Sequence, residues 1–187
     1  MHDLARLCSE INTNYIYILP NAPFEVQSEI GMIGRSWRNP SSLNLPSKNS
    51  GLTNTEKQVI STFMLEIAEK FYSTQKKMII GGFSQGAGVA SEYALHNKNS
   101  MAGLMLLSGT AAWLNEENEK PIERNDSLSI FIGHGINDTM IPVNAAKKTL
   151  KILKSLGFNP EYHEYVMGHE INNMEINDIR KWLENFK

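Results

Sequence analysis

The sequence has one cysteine, Cys8, among 187 residues, and it has no long hydrophobic run and no excess of one charge sign. One cysteine cannot form an internal disulfide or supply a cysteine-based metal site, and this scarcity fits a reducing compartment. The 18 Lys and Arg residues are nearly balanced by 20 Asp and Glu residues, leaving a net charge of −2. Nucleic acid is therefore not indicated as a partner.

The sequence does not predict a secretory signal or a membrane-spanning segment. No apolar run reaches the roughly 20 residues that a membrane-spanning helix needs. The first twenty residues contain Asp3 and Glu10 and lack the continuous apolar stretch of a secretory signal. We expect a cytoplasmic protein without an integral membrane segment. With 41% hydrophobic residues, a chain of this length is predicted to form a single domain over residues 1–187.

Short apolar runs rich in β-formers alternate with segments of helical periodicity. The predicted strands are Tyr15–Leu19, Met78–Ile80, Gly103–Leu107, Leu128–Ile132 and Tyr162–Val166. The predicted helices run from Asp3 to about Glu10, from the Thr53–Glu56 capping box to about Thr74, from Gln85 to about His96, from Pro142 to Gly157, and over Ile176–Phe186. Residues 20–52 and 109–127 are predicted to be loops. This alternation predicts an α/β fold, with a mainly parallel sheet and helices on both faces.

A serine lies at the junction between a predicted strand and a predicted helix. Gly82–Gly86 reads Gly-Phe-Ser-Gln-Gly and fits the pattern G-x-S-x-G, with Ser84 at its centre. In this context the pattern predicts a sharp turn that exposes the serine Oγ, and the flanking glycines avoid Cβ clashes. The N–H of Gln85, at the helix start, can then face a developing oxyanion. The alternative is a glycine turn used only for packing.

A serine nucleophile needs a base and an acid that orients it, usually in the chain order Ser, acid, His. His169 lies in a Gly-His-Glu turn after the last predicted strand, whereas His163 alternates within that strand. Asp138 follows the preceding strand, whereas Asp126 precedes it and Asp178 lies within a helix. The carboxyl ends of parallel strands share one edge of a sheet. We therefore predict that Ser84, Asp138 and His169 meet there.

These segments resemble three blocks of a known family. The family is the phospholipase/carboxylesterase family, the acyl-protein thioesterase-like branch of the α/β-hydrolases. Its three catalytic blocks resemble Ile79–Gly86, Gly133–Pro142 and Gly168–Glu170 of this chain. Its upstream blocks resemble Tyr17–Pro23 and Ser36-Trp37. The resemblance implies an α/β-hydrolase fold and a serine esterase or thioesterase that uses no metal and no cofactor. It also implies that Ser84 is the nucleophile, His169 the base and Asp138 its orienter.

The substrate implied is a small-molecule or lipid-like acyl ester or thioester. The resemblance suggests medium or long acyl chains, and it leaves the leaving group and the oligomeric state open. The loops at 20–52 and 109–127 are expected to frame the acyl site, with Met140 near its mouth. Trp37 either lines this site or fills the core. In the family an aromatic residue and an aspartate usually follow this tryptophan, where this chain has Arg38 and Asn39.

The family pattern begins with strands that end in a His-Gly loop, which supplies an N–H to the oxyanion hole. This chain has no such block before Tyr15. Either the predicted strands at 15–19 and 78–80 pair directly, or the protein has further N-terminal residues. We expect the second, an N-terminally truncated domain. The alternative function is a catalytically impaired or inactive hydrolase-fold protein, because losing one oxyanion donor costs about 10²–10³ in kcat.

Overall fold

The computed structural model describes residues 2–11, 14–27, 31, 33–43, 52–71, 78–97, 100–114 and 128–186. The helices and strands are, in chain order, α1 (His2–Ile11), β1 (Phe24–Gln27), β2 (Ile33–Ser36), α2 (Pro40–Leu43), α3 (Asn54–Phe71), β3 (Met78–Phe83), α4 (Gln85–His96), β4 (Met101–Leu107), β5 (Ser129–Gly135), α5 (Val143–Ser155), β6 (Glu161–Tyr165) and α6 (Asn173–Leu183). A short 3-10 turn, Glu184–Phe186, follows α6.

A parallel sheet with the strand order β3-β4-β5-β6 forms the centre of the fold. Its middle strands, β4 and β5, are almost continuously apolar and buried, as expected where helices cover both faces of a parallel sheet. Phe83 of β3 pairs with Leu107 of β4, which pairs with Gly133 of β5. The carboxyl ends of these strands are therefore aligned at one edge, and the residues that follow them are brought close together.

Two hydrophobic clusters hold the helices against the two faces of the sheet. The first joins α3, α4 and α5 to the face that carries Leu104, Leu106, Ile130 and Ile132. The second joins α1 and α6 to the opposite face. In this second cluster Trp182 is 2% exposed, and its indole N–H donates to Ser129 Oγ at 3.0 Å. Replacing such a buried ring by alanine costs about 3–5 kcal/mol.

The predicted strand at Tyr15–Leu19 is wrong. Residues 16–20 have no ladder partner, and among the described strands β3 is hydrogen-bonded only to β4. The segment at 15–19 therefore does not pair with the strand at 78–83. Its side chains still alternate between half-buried and exposed, which explains the strand-like pattern. A period of two shows that one side of an extended chain is covered, but a strand also needs a neighbour to pair with.

The predicted loop at 20–52 is wrong in part, because it contains a β-hairpin and a short helix. β1 pairs antiparallel with β2, and Arg35 contacts Glu25 directly across the ladder at 2.9 Å. α2 follows the hairpin. Residues 28–30, 32 and 44–51 of this predicted loop, and residues 115–127 of the loop predicted at 109–127, lie outside the described residues.

The remaining predicted elements are present, with shifted ends. The Thr53–Glu56 capping box is confirmed, since Thr53 N–H donates to Glu56 Oε2 at 2.7 Å and Glu56 N–H donates to Thr53 Oγ1 at 3.3 Å. The strands predicted at 78–80 and 128–132 each extend three residues further, to Phe83 and Gly135. Within the described ranges, none of the helices is long and apolar enough to cross a lipid bilayer.

Candidate active site

Ser84 occupies the tight turn between β3 and α4. Its backbone has φ +54° and ψ −119°, a conformation that residues with a Cβ seldom adopt. The turn brings the end of the strand so close to the helix that a Cβ at position 82 would lie 2.1 Å from the carbonyl group of Gly86. Glycine at position 82 is therefore required by contact with backbone atoms.

Backbone hydrogen bonds fix this turn. The N–H of Ser84 donates to Leu107 O at 2.9 Å, and the N–H of Ala87 donates to Ser84 O at 3.0 Å. Gln85 is the first residue of α4. Its N–H belongs to the first turn of the helix, where N–H groups lack an intrahelical acceptor and carry partial positive charge.

The structure brings together the three residues predicted from the sequence to meet, Ser84, Asp138 and His169. His169 Nε2 lies 2.9 Å from Ser84 Oγ, and His169 Nδ1 lies 2.7 Å from Asp138 Oδ2. Ser84 and His169 are 85 positions apart in sequence, and His169 and Asp138 are 31 apart. The arrangement therefore depends on the register of the sheet and not on local sequence.

The charge of Asp138 determines the direction of these hydrogen bonds. Burial raises the pKa of Asp138, but hydrogen bonds from Ile141 N–H, His169 and Met140 N–H outweigh it, and the net shift is downward. The carboxyl group is therefore an anion that can only accept. His169 consequently donates from Nδ1, which leaves Nε2 as the acceptor for the Ser84 hydroxyl.

The surroundings of His169 restrict the orientation of its ring. The ring of Phe83 packs against the imidazole with 4.9 Å between centroids. Only 13% of the His169 side chain is exposed, and the Asp138 side chain is fully buried. Asp138 Oδ1 accepts from Met140 N–H and Ile141 N–H at 2.9 Å and 2.8 Å, so both carboxylate oxygens have donors. The pair is held in one geometry with little access for water.

The predicted pocket residues lie near this centre in different environments. Trp37 is half-buried, and its indole Nε1 lies 4.0 Å from the position that a Cβ at Gly86 would take. Its backbone N–H donates to the side-chain Oε1 of Gln85 at 2.8 Å. Met140 lies in the same turn as Asp138 and is 72% exposed.

Two buried residues beside the site were not assigned a role from the sequence. His134 Nε2 donates to Ile141 O at 2.8 Å and lies 3.4 Å from Asp138 Oδ2. In the sequence, His134 comes four residues before Asp138 and directly after a predicted strand, and this position could have indicated that it lies beside the site. Ser108 follows β4 and has φ +44°, and no sequence pattern marked it.

In the described part of the chain, no three His, Cys, Asp or Glu side chains are grouped to hold a metal ion.

A family model described as phospholipase/carboxylesterase matches residues 3–187. The chain belongs to the phospholipase/carboxylesterase family. It is 31% identical over 183 residues to acyl-protein thioesterase 1 of Candida albicans. This alignment covers 94% of this chain and 79% of that protein. It is 25% identical over 171 residues to a probable carboxylesterase of Oryza sativa, covering 89% of this chain and 63% of that protein.

A solved structure gives the same fold. The crystal structure of Arabidopsis thaliana SOBER1 aligns over 98% of this chain and 92% of that one, with a TM-score of 0.74 and 24% identity. The family member described here is therefore an α/β-hydrolase in fold and an enzyme of the ester or thioester hydrolase type.

Proposed function

We propose that this protein hydrolyses acyl esters or thioesters through an acyl-enzyme on Ser84, with His169 as the base and Asp138 as its orienting acid. The observation that carries the proposal is the continuous hydrogen-bonded path from Ser84 Oγ through the His169 ring to Asp138, with distances of 2.9 Å and 2.7 Å. A serine hydroxyl is a weak nucleophile until a base within hydrogen-bond distance takes its proton.

In the first half of the reaction, Ser84 Oγ attacks the carbonyl carbon of the substrate. The hydroxyl proton passes to His169 Nε2, and the imidazolium that forms is stabilised by the adjacent Asp138 carboxylate. The carbonyl oxygen becomes an anion, which the N–H of Gln85 stabilises from the start of α4. His169 then returns the proton to the leaving alcohol or thiol, and the acyl group stays on Ser84.

In the second half, water replaces the leaving group. His169 takes a proton from water as the water oxygen attacks the acyl carbon, and the same proton returns to Ser84 Oγ when the acid product departs. The conformation of Ser84 serves both halves, because its positive φ directs Oγ out of the turn and toward the imidazole. A strained backbone of this kind persists only where the surrounding contacts enforce it.

The acyl group is proposed to lie beside the Trp37 indole, with Met140 at the mouth of the site. Trp37 supports this because it is half-buried next to the first turn of α4 and is not fully enclosed in the core. The substrate proposed is a small-molecule or lipid-like acyl compound. The single cysteine supports a cytoplasmic location.

The test uses matched oxygen and sulfur substrates. Wild-type protein is incubated with a p-nitrophenyl ester and with an acyl thioester of the same chain length, and released product is measured. Ser84→Ala should lose hydrolysis of both while retaining the wild-type circular dichroism spectrum. The proposal is wrong if the folded wild-type protein hydrolyses neither substrate, or if Ser84→Ala hydrolyses them at the wild-type rate.

A further inference from the structure

Ser108 lies where the nucleophile turn, the acid strand and the loop carrying His169 meet. It follows the last residue of β4, as Ser84 follows the last residue of the paired strand β3. Among the described residues, these two serines are the only residues other than glycine with positive φ, +54° at Ser84 and +44° at Ser108. Such strain is concentrated at functional sites, because it must be maintained by surrounding contacts.

Backbone contacts tie Ser108 to the strands on both sides. Its N–H donates to Gly133 O of β5 at 2.9 Å, while Ser84 N–H donates to Leu107 O, one residue before it. The next residue, Gly109, lies so close to the nucleophile turn that a Cβ there would be 2.5 Å from Ser84 O. The backbone at Ser108 is therefore fixed relative to both the nucleophile and the strand that leads to Asp138.

The side chain of Ser108 reaches the third part of the site. Its hydroxyl donates to Glu170 O at 3.1 Å, and the residue is fully buried. Glu170 directly follows His169. On the other side of His169, Met167 O accepts the N–H of Asn137 at 3.1 Å. His169 therefore lies between two carbonyl groups that are fixed by hydrogen bonds. Asn137, next to Asp138, bonds the carbonyl of Met167, and Ser108 bonds the carbonyl of Glu170.

We propose that Ser108 is a positioning residue for the reaction assigned above, and that its hydroxyl sets the distance between His169 and Ser84 by fixing the backbone after the base. From this strained backbone the Ser108 hydroxyl donates to Glu170 O. This inference rests on the proposed roles of Ser84 and His169. A displacement of about 1 Å in a reacting group is enough to lower a rate by about 10²-fold.

The test compares Ser108→Ala with Ser91→Ala. Ser91 is also fully buried and donates to a carbonyl, Gly88 O at 2.7 Å, but it lies within α4 and also accepts from Trp113. Both variants lose one buried hydroxyl, and Ser91→Ala loses two hydrogen bonds where Ser108→Ala loses one, so a loss of stability alone would not single out Ser108. Ser108→Ala should lower kcat by about 10–10²-fold at unchanged KM, whereas Ser91→Ala should keep kcat within twofold of wild type. Equal kcat in the two variants would overturn the proposal.

A third variant separates the hydroxyl from the backbone strain. Ser108→Gly removes the hydroxyl, and glycine adopts a positive φ without strain. This variant should therefore unfold at a higher temperature than Ser108→Ala but have the same low kcat. It also provides a folded variant if the alanine protein is unstable. Wild-type kcat in Ser108→Gly would show that the backbone conformation, and not the hydroxyl, is what matters, and would overturn the proposal.

One readout is independent of turnover. The proton on His169 Nδ1, held between the ring and Asp138, should give a downfield NMR resonance. That resonance should shift or broaden in Ser108→Ala and stay in place in Ser91→Ala. An unchanged resonance in both variants would overturn the proposal for Ser108, whereas absence of wild-type hydrolysis would count against the proposed function alone.

Discussion

The side-chain oxygen of Gln85 accepts a hydrogen bond from the backbone N–H of Trp37 at 2.8 Å, 48 positions earlier in the chain. The same carboxamide donates to Ser36 Oγ at 3.1 Å. Two separate functions are therefore proposed for this one residue of α4. Its backbone N–H is proposed to stabilise the oxyanion, while its side chain holds the segment with Trp37 against the nucleophile turn.

Gln85→Met should separate these two functions. The variant keeps the backbone N–H and the side-chain length but loses the bonds to Ser36 and Trp37. Since a hydrogen bond contributes about 0.5–1.5 kcal/mol, we expect kcat/KM for long-chain p-nitrophenyl esters to fall about 5–10-fold, and less for acetate. Gln27→Met, at an exposed position of β1, is the control. An equal loss for short and long esters would show that the segment with Trp37 does not contact the acyl chain.

Asp138→Asn should abolish most of the activity without unfolding the protein. An amide can donate to His169 Nδ1, which favours the wrong tautomer and leaves Nε2 protonated, and such a change costs about 10⁴ in kcat. Asp178→Asn is the matched control, because Asp178 is an acid of α6 that bonds Tyr165 and Lys181. Near-wild-type turnover in Asp138→Asn, measured with p-nitrophenyl esters, would remove Asp138 from the mechanism.

Gly82→Ala should disrupt the nucleophile turn. The added Cβ would lie 2.1 Å from backbone atoms of Gly86, and backbone atoms cannot move aside as a flexible side chain can. We expect loss of folded protein or a destabilisation of more than about 3 kcal/mol, measured by urea denaturation. Gly88→Ala, within α4, should be neutral or stabilising, because its Cβ would meet only Thr110 O at 3.4 Å. Equal stability of the two variants would contradict the described turn.

Glu175 gives the fold a specific pH dependence. It lies in the first turn of α6 and is fully buried, and its carboxyl group lies so close to β5 that a Cβ at Gly133 would be 2.0 Å from Oε1. Burial, followed by the nearby charge of Asp178, raises the pKa of Glu175 to about 8. The folded protein therefore holds a proton on Glu175 between about pH 4.5 and 8, where an unfolded chain has released it.

From this difference, the stability of the wild-type protein should fall as the pH rises from 5 to 8. The contribution of Glu175 to the slope is about 1.4 kcal/mol per pH unit within that interval. The pKa values of Asp138, Glu164 and Asp178 are lowered by folding, so these acids make stability rise with pH in a more acidic range. Urea denaturation of Glu175→Gln at pH 5, 6.5 and 8 should show a flatter profile. A profile parallel to that of wild type would contradict a protonated Glu175.

The sequence was sufficient to predict the alternating α/β fold and the approach of Ser84, Asp138 and His169. Each of these residues follows its own predicted strand, and parallel strands place their carboxyl ends at one edge. The β1–β2 hairpin was missed because its strands are only four residues long and are stabilised by pairs such as Glu25–Arg35. These contacts form only after the chain has turned back, so no local pattern shows them.

Contacts between distant parts of the chain also explain why the sequence did not indicate the roles of Ser108 and Glu175. The Ser108 hydroxyl bonds the carbonyl of a residue 62 positions away. Glu175 reads as an ordinary charged position in an amphipathic helix, yet it is buried because α6 packs against the glycine in β5. Both depend on the final packing of distant elements, which periodicity and spacing do not encode.

The most direct test of the account is the mass of the acylated protein early in the reaction. Wild-type protein is mixed with a p-nitrophenyl ester, quenched in acid within the first turnover, digested and analysed by mass spectrometry. The acyl group should be found on the peptide containing Ser84, and the Ser84→Ala protein should carry none. An acyl group on another residue, or rapid hydrolysis by wild type with no covalent adduct at Ser84, would contradict the account.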